Sequence, residues 1–170
     1  MNSVDRLLKA HDRLAECAFF LACVALLALL GAYLSEVTAR YFFNAPTRWA
    51  SDIVGYALSW ATSLALPLVT REGGHVAITS VIEKLSPQRL HETTRLIAWA
   101  SAVTLLGTAV LFIRIAVDQH AQGIETVAAV AIPKWWLTSA AAYGIADSGL
   151  HLLRQGLGLE SARAGHELDV

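Results

Sequence analysis

Charge is scarce in this sequence. Only 16% of its 170 residues are Asp, Glu, Lys or Arg, 55% are hydrophobic, and the formal net charge is −1. That balance leaves no basic footprint for a nucleic acid. Cysteine is limited to Cys17 and Cys23, with no Cys-x-x-Cys spacing. Six residues apart on a helix, the two diverge, so they read as small buried hydrophobes rather than a redox or disulfide pair. A Walker loop, an HExxH helix and a nucleophile elbow are all missing, so an enzyme is not indicated. His11, His75, His91, His120 and His166 lie outside the apolar runs. A four-helix cytochrome needs paired haem ligands on facing spans, and only His151 is placed for that.

What the sequence does have is long stretches without charge. Cys17–Ser35 runs for 19 residues, and Ile53–Thr70 and Leu96–Ile113 for 18 each. About 20 residues cross ~30 Å of hydrocarbon, so each run needs little flanking help. A fourth stretch, Trp135–Leu153, is interrupted by Asp147 and His151. The expectation is an all-α integral membrane protein with four transmembrane helices, over about 15–37, 52–70, 94–115 and 134–154. These spans form a single four-helix membrane domain, 1–157, followed by a disordered tail, 158–170. Arg6, Lys9 and Arg13 precede the first run as in a signal peptide. That run exceeds an h-region of about 7–15 residues, and no small-x-small site follows before Glu36, so it reads as a retained span.

The cations give an orientation. The N-terminal segment, the 71–95 connection and the C-terminal segment carry nine Lys and Arg; the other two connections carry four. The positive-inside rule then places both termini and the 71–95 connection in the cytoplasm. Several helices should extend past the bilayer. Ser3 can cap a first helix that starts well before its apolar run. Ser86-Pro87 is an N-cap followed by proline at the first helical position. From Pro87 to about Gln119 a helix would be ~50 Å long, so it must tilt or protrude. Between residues 76 and 85 apolar and polar residues alternate, as in a short interfacial piece.

Arg71-Glu72-Gly73-Gly74-His75-Val76 marks the exit of the second helix. Its glycines permit a sharp helix end, and Arg71 suits both a helix C-terminus and a headgroup layer. Trp49, Trp135, Trp136 and Tyr41 gather at the outer ends as an aromatic belt. Small residues recur every fourth position at Gly55, Ser59 and Ser63, leading to Pro67, and at Ala140, Gly144 and Ser148. This spacing lets helix backbones approach closely in lipid. Pro67 removes a backbone bond and should bend the second span. Asp147, His151 and Arg154 share one helix face. A mid-span Asp costs about 2.5–3.5 kcal/mol on insertion scales, so Asp147 should face protein or water. Two readings stand: a proton or ion ligand, or a structural charge paired locally or with a partner subunit.

Four stretches together carry a family resemblance. They are Arg40-Tyr41-Phe42-Phe43-Asn44, Trp49-Ala50-Ser51-Asp52, the Arg71–Val76 element, and Ile132-Pro133-Lys134-Trp135. The chain resembles the small membrane (Q) subunit of tripartite ATP-independent periplasmic (TRAP) transporters over roughly residues 15–157. Where that family usually has two glutamates after the tryptophan, Ser51-Asp52 keeps one acid. The resemblance implies a non-catalytic scaffold in a bacterial inner membrane. Its partners would be the lipid bilayer, a large membrane (M) subunit holding substrate and sodium sites, and a periplasmic protein that captures an organic acid. It implies no cofactor of the chain's own. Candidate partner-interface or structural residues are Trp49, Asp52, Gly55, Ser59, Ser63, Arg71, Gly73, Gly74, His75, Pro133, Trp135, Gly144, Asp147 and His151. The alternatives are a membrane-bound redox component and a small self-sufficient homodimeric exporter.

Overall fold

The computed structural model describes residues 3–72 and 87–158. The expectations for Gly73, Gly74, His75, the 76–85 piece, Ser86 and the tail beyond residue 158 lie outside the described residues. Within them there are four helices and no strand: α1 (Ser3–Phe43), α2 (Ala50–Arg71), α3 (Pro87–Ala121) and α4 (Lys134–Gly156). Stretches of three of these, Arg6–Phe43, Ala50–Arg71 and Glu92–Ala121, are long and apolar enough to cross a membrane. α4 is long enough at 23 residues. It falls outside that set by composition, since it carries Asp147, His151 and Arg154.

The helix ends follow local chemistry. α1 stops where Asn44 turns to φ 50, a left-handed conformation that asparagine tolerates, and where Ala45 N–H bonds back to the Ala39 carbonyl. α3 ends in a Schellman turn. Gly123 has φ 61, its N–H bonds the His120 carbonyl at 3.2 Å, and Ile124 N–H bonds the Gln119 carbonyl at 3.0 Å. Gly158, at φ 72, stands in the same place after α4. α2 runs through the buried Pro67 to Arg71, and Glu72 N–H closes the last turn on Leu68.

Packing runs from α1 to α2, from α2 to α4 and from α4 to α3. The last helix in sequence therefore lies between α2 and α3. Its glycines show both neighbours at close range. A Cβ on Gly144 would run into the Ser63 carbonyl of α2, one on Gly149 would sit 3.0 Å from Leu106 of α3, and one on Gly156 would sit 3.1 Å from Trp99. By contrast, Gly31, Gly55 and Gly107 on the other helices meet nothing within 4 Å. Helix seams are lined by alanine: Ala15, Ala18 and Ala22 on α1, and Ala98, Ala102, Ala109 and Ala116 on α3, are all buried. Small side chains bring backbones together where dispersion, not water exclusion, drives association.

One expectation needs correction here. Cys17 is exposed and Cys23 only half-buried, because α1 turns just its alanine stripe toward its neighbours. Gly55, in the same row as Ser63, is open on its outer side, so within this chain the α2 row is packed toward its Pro67 end.

Candidate functional site: a buried polar cluster between α1 and α4

Asp12 belongs to the inward stripe of α1 that continues as Ala15, Ala18 and Ala22. His11 stands beside it. On α4 the one-face spacing of Asp147, His151 and Arg154 is realised, and all three are buried. These two faces meet. His11 Nε2 bonds Asp147 Oδ1. Arg154 reaches His11 Nδ1 at 2.7 Å and donates to Asp12 Oδ1 at 2.8 Å. The Tyr143 hydroxyl donates to Asp147 Oδ2 at 3.3 Å. The His11 and His151 rings are stacked, with centroids 4.3 Å apart and planes 24° apart. His151 is 2% exposed, and neither of its ring nitrogens has a hydrogen-bond partner among the described residues.

The depth of this cluster follows from α1. His11 and Asp12 precede the uncharged run that opens at Cys17 by five or six residues, or about 8 Å. Glu16, one residue before that run, pairs with Arg71 at 3.1 Å and sets the α2 exit at the same level. Asp147 therefore meets its partners at the edge of the apolar layer, not at its middle. Within this chain its pairing is local, to His11 and Tyr143.

His11, Asp12 and His151 offer ligand atoms within 4.8 Å of one another. Their arrangement is poor for a metal ion. The Arg154 guanidinium already bonds two of the three, and near-parallel stacked rings do not aim their in-plane lone pairs at a common point. The cluster carries its own cation.

At the other end of the bundle the 122–133 connection folds back on itself. Glu125 bridges Pro133, Thr126 N–H bonds Ile132 at 2.9 Å, and Lys134 N–H bonds Ile124 at 3.0 Å. α2 holds this loop. Asp52 accepts from Val130 N–H at 3.0 Å, and the Tyr56 hydroxyl bonds the Val130 carbonyl at 2.8 Å and Thr126 Oγ1 at 2.7 Å. Pro133 precedes α4, and Trp135 packs edge-on against His120 at 5.0 Å. Trp49 is exposed, and its carbonyl accepts Ile53 N–H. Ser59 and Ser63 are half-buried. Glu36 is bonded by both Arg40 and Thr47, which ties α1 to the turn before α2.

The structure thus brings together Asp147 with His151, Gly144 with Ser63, and Asp52 with the loop that leads into Pro133 and Trp135. Trp49, Gly55 and Arg71 stand apart from the buried cluster. Sequence reasoning did not select His11, Asp12, Tyr143 or Tyr56. The signal for the first two was present: the charge count puts the start of α1 and the end of α4 on one side. An open groove of about 470 Å³ lies between α3 and α4, against Ile113, Ala116, Val117, His120, Trp135 and Tyr143. Its wall is mostly apolar, and the Tyr143 hydroxyl is engaged by Asp147, so it lacks the convergent polar groups of a substrate site.

A family model for the DctQ component of tripartite ATP-independent periplasmic transporters matches residues 29–159. The chain belongs to this family. No curated protein matches the chain. Three of the four motifs that carried the resemblance fall wholly on described turns and caps. Arg40–Asn44 ends α1, Trp49–Asp52 opens α2, and Ile132–Trp135 opens α4. As a DctQ component the chain is a membrane part of a transporter that has other components.

Proposed function

We propose that this DctQ component is the small permease subunit of a sodium-driven uptake system for organic acids in the bacterial inner membrane. It acts as a non-catalytic scaffold for the large membrane subunit, which carries the substrate and sodium sites. A periplasmic binding protein delivers the substrate. In this reading α4 is a fourth span, shielded by α2 and α3, and both termini are cytoplasmic. The excess of cations on that side supports the orientation.

The observation that carries the scaffold reading is the mutual pairing of the embedded charges. Asp147 is engaged by His11 and Tyr143, and Arg154 by Asp12 and His11. A transport path needs ionisable groups turned to a water-filled cavity. Here they are turned to each other.

Reconstitution tests the proposal. Proteoliposomes would hold this chain, the large subunit, or both, with the binding protein outside and a sodium gradient applied. Uptake is expected only when both membrane subunits are present. Transport by this chain alone would overturn the scaffold reading and establish a self-sufficient carrier.

A further inference from the structure

At the hairpin end, α2 and α4 agree on where the apolar layer begins. Gly144 of α4 packs on the Ser63 backbone of α2, so these two residues share a level. Ile53, which opens the uncharged run of α2, is ten residues from Ser63, and Trp135, which opens that of α4, is nine residues from Gly144. At 1.5 Å per residue both runs begin about 14–15 Å from the shared level. α3 is registered to the same edge. Gln119 Oε1 accepts from the Thr138 hydroxyl at 2.8 Å, and His120 packs against Trp135. Arg114 stands six residues before His120. It therefore lies about 9 Å inside the edge that α2 and α4 define.

Arg114 is unlike the buried charges of the α1–α4 cluster. It is exposed, on the side of α3 turned away from the alanine seam, and it makes no hydrogen bond or ion pair among the described residues. A charge at this depth calls for a partner. Asp118 stands at i+4, but with the cation first this spacing is the less favourable order, and the two do not pair. Lipid phosphate fits poorly. Helical side chains lean toward the helix N-terminus, which carries the guanidinium deeper, and Asp118 stands on the same face between Arg114 and the headgroups. A carboxylate on a neighbouring span fits both the depth and the charge. The face has room for such a span. Ala100, Thr104, Gly107, Leu111, Arg114 and Asp118 recur in alternating steps of four and three residues over about 27 Å. All six are exposed, and a Cβ on Gly107 would meet nothing within 4 Å.

We propose that this face of α3 is where the large membrane subunit seats one of its transmembrane helices, with an Asp or Glu of that helix paired to Arg114. Such a contact rests on the scaffold reading and gives it a surface. α3 packs on α4 through its opposite side, so the contact leaves the packing within this chain intact.

The test uses the full chain co-expressed with the large subunit. Co-purification of the two parent subunits is the reference, and its failure would overturn the scaffold reading and this contact with it. A photo-crosslinking benzoylphenylalanine in place of Leu111, which is 59% exposed, is expected to join the large subunit on illumination. A complex that forms but crosslinks there only to lipid, or only to a second copy of this chain, would overturn the contact and leave the scaffold reading standing. Arg114→Met is expected to lower the large subunit recovered with this chain about tenfold. The same variant purified alone is expected to keep the parent's yield and melting temperature. Recovery of the large subunit equal to the parent's would overturn the pairing. Should Arg114→Met fail to accumulate, the Leu111 crosslink decides alone.

Discussion

At the N-terminal end of the bundle, residues far apart in sequence join α1 to α4 through buried charges: His11 with Asp147, Asp12 with Arg154. At the hairpin end, Asp52 and Tyr56 hold a loop through bonds made largely to its backbone at Val130. The first end joins two helices that do not pack along each other, so it depends on side-chain pairing. The second end fixes a turn whose own backbone bonds already shape it. Removing one partner of a buried charge pair costs about 3–5 kcal/mol, while a net hydrogen bond is worth about 1 kcal/mol. The bundle should therefore be much more sensitive at its N-terminal end.

Arg154→Met is the most severe way to test this contrast. It takes the guanidinium away from Asp12 and His11 and is expected to destabilise the purified chain by about 3 kcal/mol or more in reversible denaturation. A loss under 1 kcal/mol would erase the difference between the ends. Gly144→Val probes the crossing of α2 and α4 between them. Its side chain meets the Ser63 backbone, which cannot rotate away, so a loss of about 1–3 kcal/mol is expected. Asp52→Ala at the hairpin end is expected to cost about 1 kcal/mol, read in the same melt. Arg71→Ala should cost less than about 1 kcal/mol, because its pair with Glu16 is largely exposed. Should Asp52→Ala prove as damaging as Arg154→Met, the loop would be a structural anchor equal to the buried cluster.

Much of the fold was legible from composition and punctuation. The four described helices lie about where the long uncharged runs put them, and α1 and α3 extend well past those runs as expected. The shared face of Asp147, His151 and Arg154 followed from helical spacing, and that face is buried. Its partner was not legible. His11 lies 136 residues from Asp147 in sequence, and their meeting depends on how α1 leans across the bundle. The central place of α4 was equally hidden, since hydropathy ranks helices without saying which ones become neighbours. The small-residue rows were visible, yet spacing alone could not tell that Ser63 would be packed while Gly55, two turns away, would stay open. Cys17 shows the same limit: an apolar run does not reveal which of its faces turns outward.

The central claim is that the embedded charges of this chain hold its own helices and take no part in ion coupling. The most direct test is the sodium-to-substrate stoichiometry of the reconstituted complex with Asp147→Asn in this subunit. The account predicts fewer intact complexes and an unchanged stoichiometry per transport event. A changed stoichiometry in fully assembled complex would contradict it and make Asp147 part of the transport machinery.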